Sequence, residues 1–265
     1  MTEGERWTRD QLEVLLAGRF SPTAIARFLV ASQRRAGEVR SARPELAAQA
    51  GRWMALGGAG WLLLAGTGIQ PFRRRLRSGL GWWTATAVML DWHLGMVETE
   101  DGRPRSLGPA DAMTLLRVWL VPVAADRPTP LVCAVALATD GLDGALARGA
   151  EPTRIGRDLE GLADTCFAVA ALRGAVRRGW LHRWVAAAEL SRLGTGFGYA
   201  LWVYFGRARA PDPRVVRAAR LTTPVRAAGL VAAGLGRRRW ADALVSAGAL
   251  WSVLAIVRAG DRYRG

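Results

Sequence analysis

Hydrophobic positions along the chain are grouped into helix-length segments separated by charged loops. The longest uncharged segment covers residues 53–72, and these twenty residues are enough to cross a hydrocarbon layer, which is about 30 Å thick. A soluble core helix rarely needs so long an apolar stretch, so the series favours a polytopic membrane helical bundle over a soluble all-α domain, the alternative. Seven further apolar segments, often broken by one acid or arginine, cover about 79–97, 111–125, 129–147, 162–176, 184–206, 218–235 and 241–257.

The twelve tryptophans agree with the membrane prediction. An indole near the end of a span is expected at the interface between lipid and water. The tryptophans near segment ends are Trp53, Trp82, Trp83, Trp180, Trp184 and Trp240.

The charge of the chain is strongly positive, with 37 Lys+Arg against 22 Asp+Glu and a net charge of +15, and all of these cations are arginine. The arginines lie between the apolar segments rather than along one stripe, which disfavours a nucleic-acid-binding protein. The positive-inside rule assigns the loops 148–157 and 207–220 and the C-terminus to the cytoplasm. The clusters 73–75 and 237–239 then fall on the opposite side, so the topology of the first hairpin stays open.

Four acids form the most informative pattern in the sequence. Asp140 and Asp143 are three residues apart, Glu160 and Asp164 are four apart, and on helices each pair shares a face. Clustered carboxylates repel one another and are costly within a membrane, whereas a hard divalent cation such as Mg²⁺ or Mn²⁺ neutralises them. We therefore expect two helix faces that converge on a metal site.

Such a metal site suits the chemistry of phosphoesters. Two divalent ions can hold a pyrophosphate while one carboxylate deprotonates an attacking hydroxyl. Gly144 would let a nucleotide approach the backbone, and Arg148 offers a fork for phosphate oxygens. Each of these residues alone also fits a structural role, and the joint spacing favours the functional one.

The same residues resemble the signature of the CDP-alcohol phosphatidyltransferases. The family pattern is D-x2-D-G-x2-A-R, about eight residues, then G-x3-D-x3-D, and this chain has DGLDGALAR, seven residues, then GRDLEGLAD. Upstream, Asp111, Thr114, Arg117 and Pro122 are similar to the family's first helix, which reads N-x-x-T-x-x-R followed by proline. The resemblance covers about 107–258 and implies a six-helix membrane core with a cytoplasmic active site that binds a CDP-linked lipid and two divalent metals.

The resemblance also implies individual roles. Asp140 and Asp143 match the first two metal-ligand aspartates, and Asp164 matches the fourth, which is also the candidate base. Glu160 stands where the family has its third aspartate and is one methylene longer. The residues that match the part of the motif that binds the CDP-lipid are Gly144, Ala147, Arg148 and Gly156.

Arginines are the candidates for binding a phosphorylated acceptor such as glycerol phosphate or inositol phosphate. Arg192 is the best candidate, because it lies within an apolar segment, where an arginine is costly unless it has a partner. Arg214 and Arg217 precede the next segment and also fit ordinary positive-inside charges. No acceptor is identified by these residues.

The leading hypothesis is an integral membrane phosphotransferase that moves a phosphatidyl group from CDP-diacylglycerol to an alcohol and releases CMP. A catalytically silent membrane scaffold of the same fold is an alternative, supported by Glu160 and the short spacer, and a membrane prenyltransferase is another. We expect Mg²⁺ or Mn²⁺ as the cofactor, and the lipid bilayer and a second copy of the chain as partners. No nucleic-acid partner is expected.

The sequence predicts three consecutive parts. Residues 1–52 form polar surface or interfacial helices, 53–100 an additional apolar helical hairpin, and 101–265 the catalytic membrane domain, with the boundary in the polar linker 98–109. The fold class is therefore all-α, with a six-helix core and about two extra N-terminal spans. The predicted location is the cytoplasmic membrane of a bacterium with a GC-rich genome, with several spans.

Overall fold

A computed structural model describes residues 3–99, 101–149, 153–203 and 212–261. Every regular element in these ranges is helical, which confirms the all-α prediction, and Glu98 and Pro104 form an isolated β-bridge. One 3₁₀ helix, Leu94–Met96, follows the fifth α-helix. The α-helices are α1 (Glu3–Ala17), α2 (Pro22–Ala42), α3 (Pro44–Gly66), α4 (Gln70–Arg74), α5 (Leu76–His93), α6 (Pro109–Asp126), α7 (Pro130–Gly149), α8 (Arg154–Arg177), α9 (Arg183–Leu201), α10 (Pro213–Arg220), α11 (Thr223–Gly234) and α12 (Arg238–Asp261).

The uncharged segment 53–72 does not form the single continuous helix that its length predicts. Helix α3 ends at Gly66, and Gly68 takes a left-handed conformation with φ of +83°. A new short helix then begins at Gln70, with Pro71 in its first turn, a position that proline favours. The segment 218–235 is likewise divided between α10 and α11. Among the helices that the structure describes, none combines the length and the hydropathy that crossing a membrane requires.

The chain divides into two compact units. The first contains residues 1–119 and 139–164, and the second contains 120–138 and 165–265. This division differs from the three consecutive parts predicted from the sequence, 1–52, 53–100 and 101–265, which stay a prediction.

In the first unit, α3 and α5 pack closely because tryptophan rings lie against glycines. A Cβ atom at Gly57 would lie 2.3 Å from the ring of Trp83, and one at Gly79 would lie 2.1 Å from the ring of Trp61. Trp83 is buried and donates from Nε1 to the carbonyl of Met54 at 2.7 Å. The prediction that Trp83 lies at a lipid interface is therefore wrong, because its ring fills the space that Gly57 leaves.

In the second unit, α11 and α12 pack through another glycine contact. A Cβ atom at Gly229 would lie 2.7 Å from Cγ2 of Val245. His182 caps the start of α9, because its side chain accepts from the backbone N–H of Trp184. The backbone N–H of His182 donates to Oδ1 of Asp242 at 2.9 Å. His182 itself is half-buried.

Candidate active site

Three of the four predicted carboxylates come together in the first unit. Asp140 lies on α7, and Glu160 and Asp164 lie one turn apart on α8. One carboxylate oxygen of each residue lies within 4.8 Å of the others, and all three side chains are half-buried. The i,i+4 spacing on α8 therefore does place its two acids on one face, and α7 adds the third.

The donor set suits a hard divalent cation. All three groups offer carboxylate oxygen, the ligand that Mg²⁺ and Mn²⁺ prefer. Two oxygens on opposite sides of one Mg²⁺ lie about 4.2 Å apart, because each bond is about 2.1 Å long. The observed limit of 4.8 Å is only slightly wider, so small side-chain rotations bring the oxygens into range. Glu160, although longer than the aspartate of the family pattern, reaches the cluster.

Arg117 supplies a buried positive charge to this cluster. Its side chain, on α6, is only 2% exposed, whereas those of Asp140 and Asp164 are each 33% exposed. Nη1 donates to Oδ1 of Asp164 and lies 3.7 Å from Oδ1 of Asp140. Nε lies 3.5 Å from Oγ1 of Thr139, at the limit of a hydrogen bond. The guanidinium thus bridges one predicted metal ligand and the predicted base.

Sequence reasoning gave Arg117 no role in the site. The residue appeared only as part of the first-helix pattern, and it is one of 37 cations in the chain. A signal existed, because Arg117 is an arginine inside the apolar segment 111–125, where an unpaired charge is costly. That reasoning predicts an acidic partner but does not say which of the 22 acids it is.

A second set of polar contacts joins the starts of α6 and α8. Asp111 is 8% exposed. Its Oδ2 accepts from the backbone N–H of Gly108 at 2.7 Å, and its Oδ1 accepts from the hydroxyl of Thr153 at 3.2 Å. The Thr153 hydroxyl in turn accepts from the backbone N–H of Gly156 at 3.1 Å, which caps the first turn of α8.

This arrangement gives Gly156 a structural reason to be glycine. A Cβ atom at Gly156 would lie 2.8 Å from Oγ1 of Thr153 and 3.1 Å from Oδ1 of Asp111. Gly156 also lines a small pocket together with Asp111, Thr114 and five apolar residues. The predicted contact of Gly156 with the CDP-lipid stays a prediction beside this packing role.

The remaining residues of the sequence motif lie on the last turns of α7, which continues to Gly149. Their side chains fall outside the part of the chain that the structure describes, so their predicted contacts stay predictions. These residues are Asp143, Gly144, Ala147 and Arg148.

Among the acceptor candidates, Arg192 has a buried acidic partner in the second unit. Its Nε and Nη2 atoms donate to the two carboxylate oxygens of Glu189 at 2.8 and 2.7 Å, and Nη1 lies 3.4 Å from the hydroxyl of Ser252. Arg226 donates to the same Glu189 carboxylate at 2.5 Å. Glu189 is 3% exposed, so this cluster has one buried acid between two arginines.

Arg214 and Arg217 differ from Arg192 in their surroundings. Both lie on α10 and are exposed. The prediction that Arg192 needs a partner is therefore confirmed, and sequence reasoning missed Glu189 although it lies three residues before Arg192. The predicted contact of the three arginines with an acceptor stays a prediction.

Comparison with known proteins decides the family. A family model described as CDP-alcohol phosphatidyltransferase matches residues 109–257, more than half of the chain. The chain belongs to the CDP-alcohol phosphatidyltransferase family. The match confirms the resemblance in the motif and contains Arg117 and all three clustered carboxylates. Neither the comparison with curated proteins nor that with solved structures gave a match.

Membership in the CDP-alcohol phosphatidyltransferase family assigns the chain to the transferases of phosphate-containing groups, with a CDP-alcohol as donor and an alcohol as acceptor. Phospholipid biosynthesis is the process to which this family belongs. Residues 1–108, which hold α1 to α5, precede the match.

Proposed function

We propose that this protein transfers a phosphatidyl group from CDP-diacylglycerol to an alcohol and releases CMP. The observation that carries the proposal is the cluster of Asp140, Glu160 and Asp164, three carboxylates within 4.8 Å inside the family match. These acids come from the two halves of one sequence motif and meet across two helices. A chain that had kept only the fold would have no need to bring three carboxylates together, since Arg117 offsets only part of their mutual repulsion.

The cluster, together with Asp143, is the proposed holder of two divalent ions, Mg²⁺ or Mn²⁺. When bound, such ions neutralise the pyrophosphate and stabilise the charge that develops as its bond breaks. Gly144, Ala147, Arg148 and Gly156 are proposed to contact the CDP part of the lipid.

In the proposed reaction, Asp164 accepts the proton of the acceptor hydroxyl at a carboxylate oxygen. The acceptor oxygen forms a bond to the phosphorus that carries diacylglycerol, and the bond from that phosphorus to the bridging oxygen breaks. CMP leaves with the bridging oxygen and its electron pair. Arg117, which donates to Asp164, orients that carboxylate and holds a positive charge beside it.

A lipid donor with two acyl chains points to a membrane location, and members of this family are typically integral to the membrane. We propose several spans in the cytoplasmic membrane of a bacterium, with the active site on the cytoplasmic side. Segments 1–52 and 53–100 are proposed as additions in front of a catalytic domain formed by 101–265. A homodimer is a further part of this proposal.

The acceptor is proposed to be a small alcohol, with a phosphorylated alcohol as the favoured class. Arg214 and Arg217 are the better candidates for its phosphate, because both are exposed. Arg192 is already bidentate on Glu189, and a phosphate would have to compete with that carboxylate.

The test is CMP release from CDP-diacylglycerol by the purified full chain with Mg²⁺ or Mn²⁺ over a panel of acceptors. We expect turnover with at least one acceptor and a loss of about 100- to 10,000-fold in Asp164→Asn, the range for a lost general base. Asp91→Asn is the matched control: its carboxylate is 30% exposed and pairs with Arg40, much as Asp164 pairs with Arg117. This control should retain activity.

Two results would contradict the proposal. Absence of CMP release with every acceptor, together with no Mn²⁺ binding by the parent, would favour the silent scaffold. Protection against thermal unfolding by a prenyl pyrophosphate but not by CDP-diacylglycerol would favour the prenyltransferase.

A further inference from the structure

Helix α3 lies before the family match but contacts the segment that leads into the site. The Gln49 side chain makes two hydrogen bonds to the backbone of Leu107. Its Nε2 donates to the Leu107 carbonyl at 2.9 Å, and its Oε1 accepts from the Leu107 N–H at 3.0 Å. Two bonds to one residue fix both the position and the direction of the backbone there.

Arg43, between α2 and α3, holds the earlier part of the same segment. Its guanidinium donates to the carbonyls of Leu94, Val97 and Arg105, at 3.4 Å for Leu94 and 3.0 Å for Val97. Burial lowers the pKa of this arginine and the charge of Glu98 opposes that shift; the guanidinium stays protonated in either case. The described residues between the 3₁₀ helix and α6 are therefore held by the side chains of Arg43 and Gln49.

Further hydrogen bonds connect the residue after Leu107 to the start of α8, the helix that carries Glu160 and Asp164. The backbone N–H of Gly108, the next residue, donates to the Asp111 carboxylate. The same carboxylate accepts from the hydroxyl of Thr153, and that hydroxyl accepts from the backbone N–H of Gly156. The three bonds are 2.7, 3.2 and 3.1 Å long. Glu160 is one helical turn after Gly156 and Asp164 is two turns after it.

We propose that Gln49 is a positioning residue for the active site, acting through Leu107, Asp111 and Thr153 on the start of α8. This inference rests on the function proposed above. The described hydrogen bonds of Gln49 go to the Leu107 backbone and fix its place, and the contacts that follow set where α8 begins. Helix α3, although it precedes the catalytic domain in the sequence, then helps to position the active-site helix α8.

A purely structural role for Gln49 makes a different prediction. If Gln49 only satisfies the N–H and C=O groups of Leu107, its loss lowers the stability of the fold and leaves the metal site as it was. If it positions α8, its loss also moves Glu160 and Asp164 relative to Asp140. The affinity of the full chain for Mn²⁺ separates the two, because it depends on those distances.

The experiment compares Gln49→Met with Gln33→Met in the full-length protein. Gln33 is the matched control, because the hydrogen bond described for its side chain comes from Nε1 of Trp92 on α5, at 2.9 Å, and not from the Leu107 backbone. Each protein is titrated with Mn²⁺ by electron paramagnetic resonance and assayed for CMP release and thermal unfolding. Loss of a group that orients metal ligands typically costs about 10- to 100-fold in affinity, and Gln49 is more remote, so we expect about three- to tenfold.

We also expect Gln49→Met to lower kcat more than it raises KM for CDP-diacylglycerol, and Gln33→Met to change neither constant nor the Mn²⁺ affinity. A lower melting temperature in Gln49→Met with unchanged Mn²⁺ affinity and unchanged kcat would overturn the proposal. A parent protein that neither binds Mn²⁺ nor releases CMP would instead overturn the proposed function, and this inference with it.

A second pair of variants tests the contact of Thr153 with Asp111 and Gly156. These variants replace the first test if Gln49→Met does not fold. Thr153→Val removes the hydroxyl at nearly constant volume, and Thr153→Ser keeps it. We expect weaker Mn²⁺ binding in Thr153→Val and rescue in Thr153→Ser. In the double variant of Gln49→Met and Thr153→Val the losses should be less than additive, because both act through Asp111; full additivity would contradict the proposed connection.

Discussion

Replacing Arg117 by methionine should have opposite effects on stability and on metal binding. Arg117 is 2% exposed and is the cation shared by Asp140 and Asp164. Removing one partner of a buried ion pair costs about 3–5 kcal/mol. Because both carboxylates are 33% exposed and water can solvate them, we expect a smaller loss, about 2–3 kcal/mol in the metal-free protein. At about 2–4 °C per kcal/mol for a chain of this size, the melting temperature falls by about 4–12 °C.

The same change should strengthen metal binding. Two unit charges 4 Å apart interact by about 4 kcal/mol at an effective dielectric constant of 20, and Arg117 lies 3.7 Å from Asp140. A Mg²⁺ or Mn²⁺ ion on that oxygen would be farther from the guanidinium by up to about 2 Å, the length of the metal–oxygen bond, but it carries two charges, so its repulsion by Arg117 is of the same order. If only a third of this repulsion survives solvent screening, its removal is about 1.4 kcal/mol, which is tenfold in affinity.

The assay is a Mn²⁺ titration by electron paramagnetic resonance, with thermal unfolding measured without metal and at saturating Mn²⁺. Arg117→Met should bind Mn²⁺ at least about tenfold more tightly, and its stability deficit should shrink when the metal is bound. Arg117→Lys, which keeps the charge, should bind Mn²⁺ within about threefold of the parent, since a tenfold change needs the whole 1.4 kcal/mol. Equal or weaker Mn²⁺ binding by Arg117→Met would refute the argument that this arginine competes with the metal.

Two further substitutions follow from packing and charge. Gly156→Ala adds a Cβ atom 2.8 Å from the Thr153 hydroxyl, so we expect a loss of about 1–3 kcal/mol in chemical unfolding together with reduced CMP release; unchanged stability would show that the start of α8 can move aside. Glu189→Gln leaves Arg192 and Arg226 without their shared buried anion, and thermal unfolding should show a loss of about 3–5 kcal/mol. A loss below about 1 kcal/mol, as at an exposed pair, would show that solvent reaches this cluster.

The helical part of the fold could be predicted from hydrophobic periodicity. Where the structure describes them, the six segments from residue 111 onwards are mainly helical, five of them with one α-helix each and 218–235 with two. The length of the first apolar segment, 53–72, wrongly indicated one continuous helix, because a turn made of apolar residues does not change the hydropathy. Gly68 and Pro71 are turn and helix-start residues within 53–72, and they divide that segment.

The spacing of residues within one helix predicted part of the site. Contacts between residues of different helices could not be predicted from sequence spacing. Glu160 and Asp164 are four residues apart, so their shared face follows from the helical repeat. Arg226 and Glu189 are 37 residues apart and pair only because α9 and α11 both pack against α12 in the second unit. The need for glycine at position 156 is also a contact between helices, because a Cβ atom there would lie 3.1 Å from Oδ1 of Asp111, a residue 45 positions earlier.

Arg117 changes the physical argument for a metal at this site. From the sequence, clustered acids without a nearby lysine or histidine required a divalent ion to remove their repulsion. In the structure, the three clustered carboxylates have a buried guanidinium beside them, so the fold can tolerate them before any ion binds. With all groups ionised, three acids and one arginine carry a formal charge of −2, which is the charge that one divalent ion neutralises. The role proposed for the divalent ions is thus the chemistry of the pyrophosphate, and Arg117 is the group that stabilises the clustered carboxylates without them.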